Sequence, residues 1–90
     1  MTQPEYPLDH RRGYVLIPHS MLEFDPLTRD AIATQTYIAI ALVGPAPVAR
    51  IARLTGRRPT EIHRAIRRLR RWGIVVGPPS RAVVADGGPA

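Results

Sequence analysis

The sequence predicts a mainly helical domain of the α+β class: three helices, with a small antiparallel sheet built from a C-terminal hairpin and a short strand near the N-terminus. Three observations carry that expectation. Apolar residues recur at helical spacing through consecutive stretches between Leu27 and Trp72. Glycine and proline punctuate those stretches at Gly44-Pro45 and again between Gly56 and Pro59. Short β-rich runs, Tyr14-Val15-Leu16-Ile17, Ile74-Val75-Val76 and Ala82-Val83-Val84-Ala85, lie on either side of the helical region. A chain of 90 residues with 44% hydrophobic content is large enough for one modest core and too short for a second. The expected organisation is a flexible arm over residues 1–13, one domain over 14–85 and a flexible tail over 86–90.

In order along the chain, residues 2–13 hold two prolines and mixed charge without apolar periodicity, which fits a loose arm. Residues 14–17 read as an edge strand closed by Pro18, since proline donates nothing to a ladder. Ser20-Met21-Leu22-Glu23 has capping-box spacing, so one helical turn is expected there, with Met21 and Leu22 pointing into the core. Asp25-Pro26 is a good helix opening, because the carboxylate caps free N–H groups and proline is tolerated in the first turn. The first long helix is expected from about residue 26 to 43, with Leu27, Ala31, Thr34, Ile38, Ala41 and Leu42 along one face.

Ile32, Tyr37, Ile40 and Val43 widen that apolar surface beyond an ordinary stripe, and large apolar patches seldom stay exposed. Either the N-terminal segment or a second copy of the chain is expected to cover it. In the second case these four residues form a dimer interface. Gly44-Pro45-Ala46 then ends the helix, and Pro47 starts a short second one with Val48, Ile51, Ala52 and Leu54 inward and Arg50 and Arg53 outward. Gly56 suits the left-handed position that closes a helix. Pro59 opens the third helix, about 59–72, with Ile62, Ala65, Ile66, Leu69 and Trp72 as its buried stripe. After Gly73, residues 74–76 and 82–85 form a hairpin around Gly77-Pro78-Pro79-Ser80-Arg81.

The basic charge is concentrated in one half of the chain. All thirteen basic residues are arginine, and the formal net charge is +6. Residues 1–46 carry three arginines against five acids, whereas residues 47–90 carry ten against two. An anionic partner is therefore expected for the C-terminal half. A GC-rich genome would also favour arginine over lysine, so the argument rests on position rather than on arginine content. The third helix displays Thr60, Glu61, His63, Arg64, Arg67, Arg68 and Arg71 opposite its apolar stripe, a row that no isolated core requires.

Several function classes find no support. Cysteine is absent, which removes disulfides and thiolate chemistry. His10, His19 and His63 lack metal-ligand spacing, and His19-Ser20 has neither a glycine elbow nor a carboxylate pair beside it. No enzyme, metal, cofactor or small-molecule ligand is expected. The most apolar run, residues 31–43, falls short of the ~20 residues that span a bilayer, so no membrane role is expected, and with no signal-peptide pattern the cytoplasm is the expected location.

Val48-Ala49-Arg50-Ile51-Ala52-Arg53-Leu54-Thr55-Gly56, followed by Arg57-Arg58-Pro59-Thr60-Glu61-Ile62-His63-Arg64-Ala65-Ile66-Arg67-Arg68-Leu69 and Trp72-Gly73-Ile74, resembles the second and third helices of bacterial winged helix-turn-helix domains. The resemblance extends over about residues 14–85. The layout of residues 14–22 and 27–42 is also loosely similar to the amino-terminal region of phage and plasmid replication initiators. Arg58-Pro59 departs from the small hydroxyl residues that often open the family's recognition helix, and Glu61 would repel phosphate unless it pairs with an arginine or accepts from cytosine N4.

The resemblance implies double-stranded DNA as partner, with the third helix in the major groove and the hairpin, or wing, on the adjacent minor groove. It makes Arg57, Arg58, Thr60, His63 and Arg64 the candidate base readers. Arg50, Arg53, Arg67 and Arg68 become phosphate contacts and Arg81 a wing contact. A homodimeric transcriptional regulator on the nucleoid is the expected role, with a replication, excision or partition factor as alternative. A winged-helix module that binds an acidic protein is the alternative from another class.

Overall fold

The computed structural model describes residues 17–85. The expected arm, residues 14–16 of the expected strand and the expected tail lie outside the described residues. Ile17 belongs to no strand and packs half-buried against the core.

Three main helices are followed by a small antiparallel hairpin, a mainly α arrangement consistent with a winged-helix-like one. Before the main helices come two single turns, α1 (His19–Leu22) and α2 (Asp25–Thr28). The capping box expected at Ser20 does not form. Helix α1 starts two residues earlier than a Ser20 cap would place it, behind Pro18, so Glu23 lies at its C-terminal end with Oε1 3.6 Å from His19 Nδ1. Met21 is buried, but Leu22 is 66% exposed, contrary to expectation. Adjacent residues point about 100° apart on a helix, so a single turn lays only one of them on the core.

The long helix expected from residue 26 is broken. Helix α3 begins only at Ala31 and runs Ala31–Val43, because Asp30 takes an extended conformation (φ −115°, ψ 95°) and its carboxylate accepts the Ala33 N–H at 3.0 Å. Aspartate is a weak interior residue and a strong cap, so the backbone breaks where the cap is satisfied. Thr34 Oγ1 donates to the Leu27 carbonyl at 2.7 Å and fastens the α2 turn to α3.

The buried side of α3 also differs from the expected one. Ala33, Thr36, Tyr37, Ala39 and Ile40 are buried, whereas Ala31 is exposed and Ile38, Ala41 and Leu42 are half-buried. Tyr37 and Ile40, expected on a surface between copies, are 2% and 3% exposed inside this chain's own core. Ile32 and Val43 are half-buried. The domain itself covers the centre of the proposed dimer face. Thr36 is buried without an orphaned hydroxyl, since Oγ1 donates to the Ile32 carbonyl at 2.7 Å.

Helix α4 (Val48–Thr55) follows after a sharp change of direction, with α3 and α4 bent 116° apart. Ile51 and Ala52 are buried, but Leu54, expected inside, is 55% exposed. Gly56 closes α4 in the left-handed region (φ 70°), and the Arg57 N–H reaches the Ala52 carbonyl at 3.1 Å. Helix α5 (Pro59–Arg71) lays Ile62, Ala65, Ile66 and Leu69 against α3 and α4, all four fully buried. Trp72 follows half-buried, its ring edge-on to Phe24 at 5.8 Å and 78°.

The hairpin pairs β1 (Val75–Val76) with β2 (Val83–Val84), in register Val75 to Val84 and Val76 to Val83. The Ala85 N–H extends the pairing to the Ile74 carbonyl at 3.0 Å. A 3-10 turn, Pro79–Arg81, forms the tip. Ile74, Val75 and Ala82 are buried, so the hairpin belongs to the core rather than hanging from it. Where α3 ends, a Cβ on Gly44 would sit 2.5 Å from the Ile40 carbonyl oxygen and 2.9 Å from that of Ala82. The hairpin backbone approaches the helix end that closely only because position 44 has no side chain. Among the described residues no single helix is long and apolar enough to cross a membrane.

Candidate nucleic-acid interface

Helix α5 carries the candidate surface. Its core residues Ile62, Ala65, Ile66 and Leu69 define the inward direction, and at 100° per residue Thr60, Arg64, Arg67 and Arg71 fall in one line on the opposite side. All four are exposed. At 1.5 Å rise per residue the row is about 16 Å long. His63 and Arg70, also exposed, flank it on one side, and Glu61 and Arg68, both half-exposed, on the other. Arg67, Arg70 and Arg71 border one shallow depression, and Arg64, Arg67, Arg68 and Arg71 border its neighbour.

The start of α5 explains Glu61. Arg58 is extended (φ −74°, ψ 146°), Pro59 opens the helix, and Glu61 Oε1 accepts the Arg58 N–H at 3.1 Å. Glu61 thus closes the backbone in the second half of a capping box, and its charge lies where the helix dipole favours an anion. Arg58 supplies no acceptor for the other half, since a guanidinium only donates.

The arginines divide into held and exposed ones. Arg68, expected to face phosphate, is instead held by Asp30: Nε donates to Oδ2 at 2.7 Å and Nη2 to Oδ1 at 3.2 Å. The side chains are 30% and 25% exposed, which makes this a partly buried, two-pronged pair between the start of α3 and the last turn of α5. Burial acts to raise the Asp30 pKa, but the Ala33 N–H and the hydrogen bonds and charge of Arg68 outweigh it and hold the carboxyl below its ordinary value of 3.8. Arg57 is held more lightly, with Nε donating to Gln35 Oε1 at 3.0 Å. That bond fixes the direction of the guanidinium.

The remaining sequence-predicted residues are exposed on three elements. Arg58, Thr60, His63, Arg64 and Arg67 lie on or beside α5, Arg50 and Arg53 on α4, and Arg81 at the hairpin tip. Arg71, which the sequence places on the displayed face without a contact role, is exposed with them, and so is Arg70, which the sequence reading leaves out. The signal was present: positions 60, 64, 67 and 71 share the helical period, and 63 and 70 share the flank. Among the described residues no three His, Asp or Glu come together as a metal site.

Comparison with protein-family models, with curated proteins and with solved structures found no match for this chain.

Proposed function

We propose that the chain is a sequence-specific, double-stranded DNA-binding protein of the winged helix-turn-helix type. The observation that carries this reading is the exposed row Thr60-Arg64-Arg67-Arg71 along the whole outer side of a helix whose inner side is completely buried. A cationic helix of that shape suits the major groove, which is about 12 Å wide and admits an α-helix. Arg58, Thr60, His63 and Arg64 meet base edges at the start of α5, with Arg57 aimed by Gln35. A guanidinium matches guanine O6 and N7 through two hydrogen bonds. Arg67, Arg70 and Arg71 follow the phosphates at its far end, Arg50 and Arg53 do so on α4, and Arg81 reaches the minor-groove side. Asp30 removes Arg68 from this set and converts it into the brace that orients α5.

The role favoured is transcriptional regulation, with replication initiation, excision or partition as the runner-up. Selection from a random duplex library, followed by binding titrations of the enriched and scrambled duplexes at several salt concentrations, tests the reading. The expected result is one enriched motif bound far more tightly than the scrambled duplex, with affinity falling linearly in log–log salt plots. Indifference to sequence and to salt would remove it in favour of a protein-interaction module. Genome-wide binding positions then separate promoters from an origin or attachment site.

A further inference from the structure

A second surface lies between α3 and α4. Gln35, Ile38, Ala39, Leu42 and Val43 of α3 and Leu54 and Thr55 of α4 border an open groove of about 300 Å³. Its lining is predominantly apolar. Leu54, 55% exposed, is a large aliphatic side chain that the fold leaves in solvent on a helix otherwise anchored by Ile51 and Ala52. The rim is basic: Arg50 lies one helical turn before Leu54 on the exposed side of α4, and Arg57 is bonded to Gln35 at the groove's edge. No lining residue is acidic. The acids among the described residues all have partners elsewhere: Glu23 lies beside His19, Asp25 beside Arg29, Asp30 holds Arg68, and Glu61 caps α5.

We propose that this groove receives an acidic amphipathic helix of a protein partner. Apolar anchors spaced i, i+3 or i+4 enter between Ile38, Leu42 and Leu54, and carboxylates beside them face Arg50 and Arg57. Charge selects this occupant over a second copy of the chain. A twofold pairing sets the same patch against itself, which brings Arg50 and Arg57 of each copy toward those of the other. Because Arg50 and Arg57 also belong to the proposed DNA surface, partner and duplex compete for them. The apolar groove itself does not depend on the DNA reading.

The test uses the full chain without DNA and a fluorescent synthetic peptide, helical, with leucines at i, i+3, i+4 and i+7 and glutamates on both flanks. The control peptide has alanine at the leucine positions. Fluorescence anisotropy should show saturable binding that is about tenfold weaker for the alanine peptide, and similarly weaker for Leu54→Gln and Leu42→Gln. Arg29→Ala, at an exposed arginine that does not line the groove, should leave it unchanged. Leu54 is exposed, so Leu54→Gln keeps the fold, which circular dichroism checks. Equal binding of both peptides overturns the proposal, since charge alone then suffices. Sedimentation equilibrium showing dimers that Leu54→Gln dissociates overturns it in favour of a second copy. The chain has no cysteine, so Leu54→Cys accepts a single spin label; selective broadening of the resonances of residues 2–16 without peptide overturns it in favour of the chain's own N-terminal segment. The DNA titrations above are read separately, so failure of either proposal leaves the other standing.

Discussion

Asp30 and Arg68 are 38 positions apart in the chain and joined by two hydrogen bonds, at 2.7 and 3.2 Å, while the same carboxylate caps α3 through the Ala33 N–H. One side chain therefore starts one helix and braces another. The charged face of α5 is oriented by a contact outside that face. Such a carboxylate is more consequential than a surface ion pair, which typically contributes less than about 1 kcal/mol.

Asp30→Ala removes the cap and leaves Arg68 without its partner, at a cost of about 2–3 kcal/mol in unfolding free energy measured by urea titration. The pH dependence has a definite sign. Folding lowers the Asp30 pKa from its ordinary 3.8, so the stabilisation is full above that value and is lost as the pH falls through the folded-state pKa. Stability measured between pH 6 and about 2 should decline less steeply in Asp30→Asn than in the unmodified chain. An unchanged acid limb would mean the carboxylate is not linked to folding.

Two glycines should fail for different reasons. At Gly44 a Cβ would collide with the Ile40 and Ala82 carbonyl oxygens, both backbone atoms that cannot swing aside, so Gly44→Ala should cost about 2–3 kcal/mol and loosen the hairpin. At Gly56 a Cβ meets nothing within 4 Å, but φ is 70°, so Gly56→Ala carries only the left-handed penalty of about 1–2 kcal/mol. Hydrogen exchange at the Ala85 amide, which pairs with the Ile74 carbonyl, should accelerate selectively in the first variant.

Leu69 and Leu54 are the same residue type with opposite surroundings. Leu69 is fully buried, and Leu69→Ala should destabilise by about 2–5 kcal/mol through lost burial and the cavity left behind. Leu54 is mostly in solvent, and Leu54→Ala should change thermal stability by no more than about 0.5 kcal/mol. Comparable losses in both would contradict the orientation of α4.

On DNA, Arg64→Ala should cost about 1–3 kcal/mol on the selected sequence and little on a scrambled one. Arg67→Ala and Arg71→Ala should weaken both alike and reduce the salt slope by about one unit each. Arg68→Ala should act chiefly on stability, since its guanidinium is engaged with Asp30. Anisotropy titrations on two duplexes, paired with chemical denaturation, distinguish these patterns.

Much of this was legible because it depends on local spacing. Ile62, Ala65, Ile66 and Leu69 mark the inner side of α5, and any helix that buries them must expose Thr60, Arg64, Arg67 and Arg71. Gly56, Gly73 and Gly77 all have positive φ, at the end of α4, after α5 and within the hairpin, where the sequence placed its breaks. Helix α3 was harder to read. It is apolar on nearly every side, so its sequence shows a helix but not which way it faces: the spacing favours a stripe through Ala31, Ile38 and Leu42, whereas Thr36, Tyr37 and Ile40 are the buried side.

By itself the sequence determined the number and order of the main helices, the C-terminal hairpin, and the arginine row along the outside of the third helix. These follow from residue spacing and from glycine and proline chemistry, which act within a few residues of the chain. Only the tertiary structure decided that Asp30 interrupts the first long helix, that Arg68 braces the fold, that Tyr37 and Ile40 are interior and that Leu54 is exposed. Each of those depends on which partner another segment brings alongside, a contact between residues distant in sequence that no local pattern encodes.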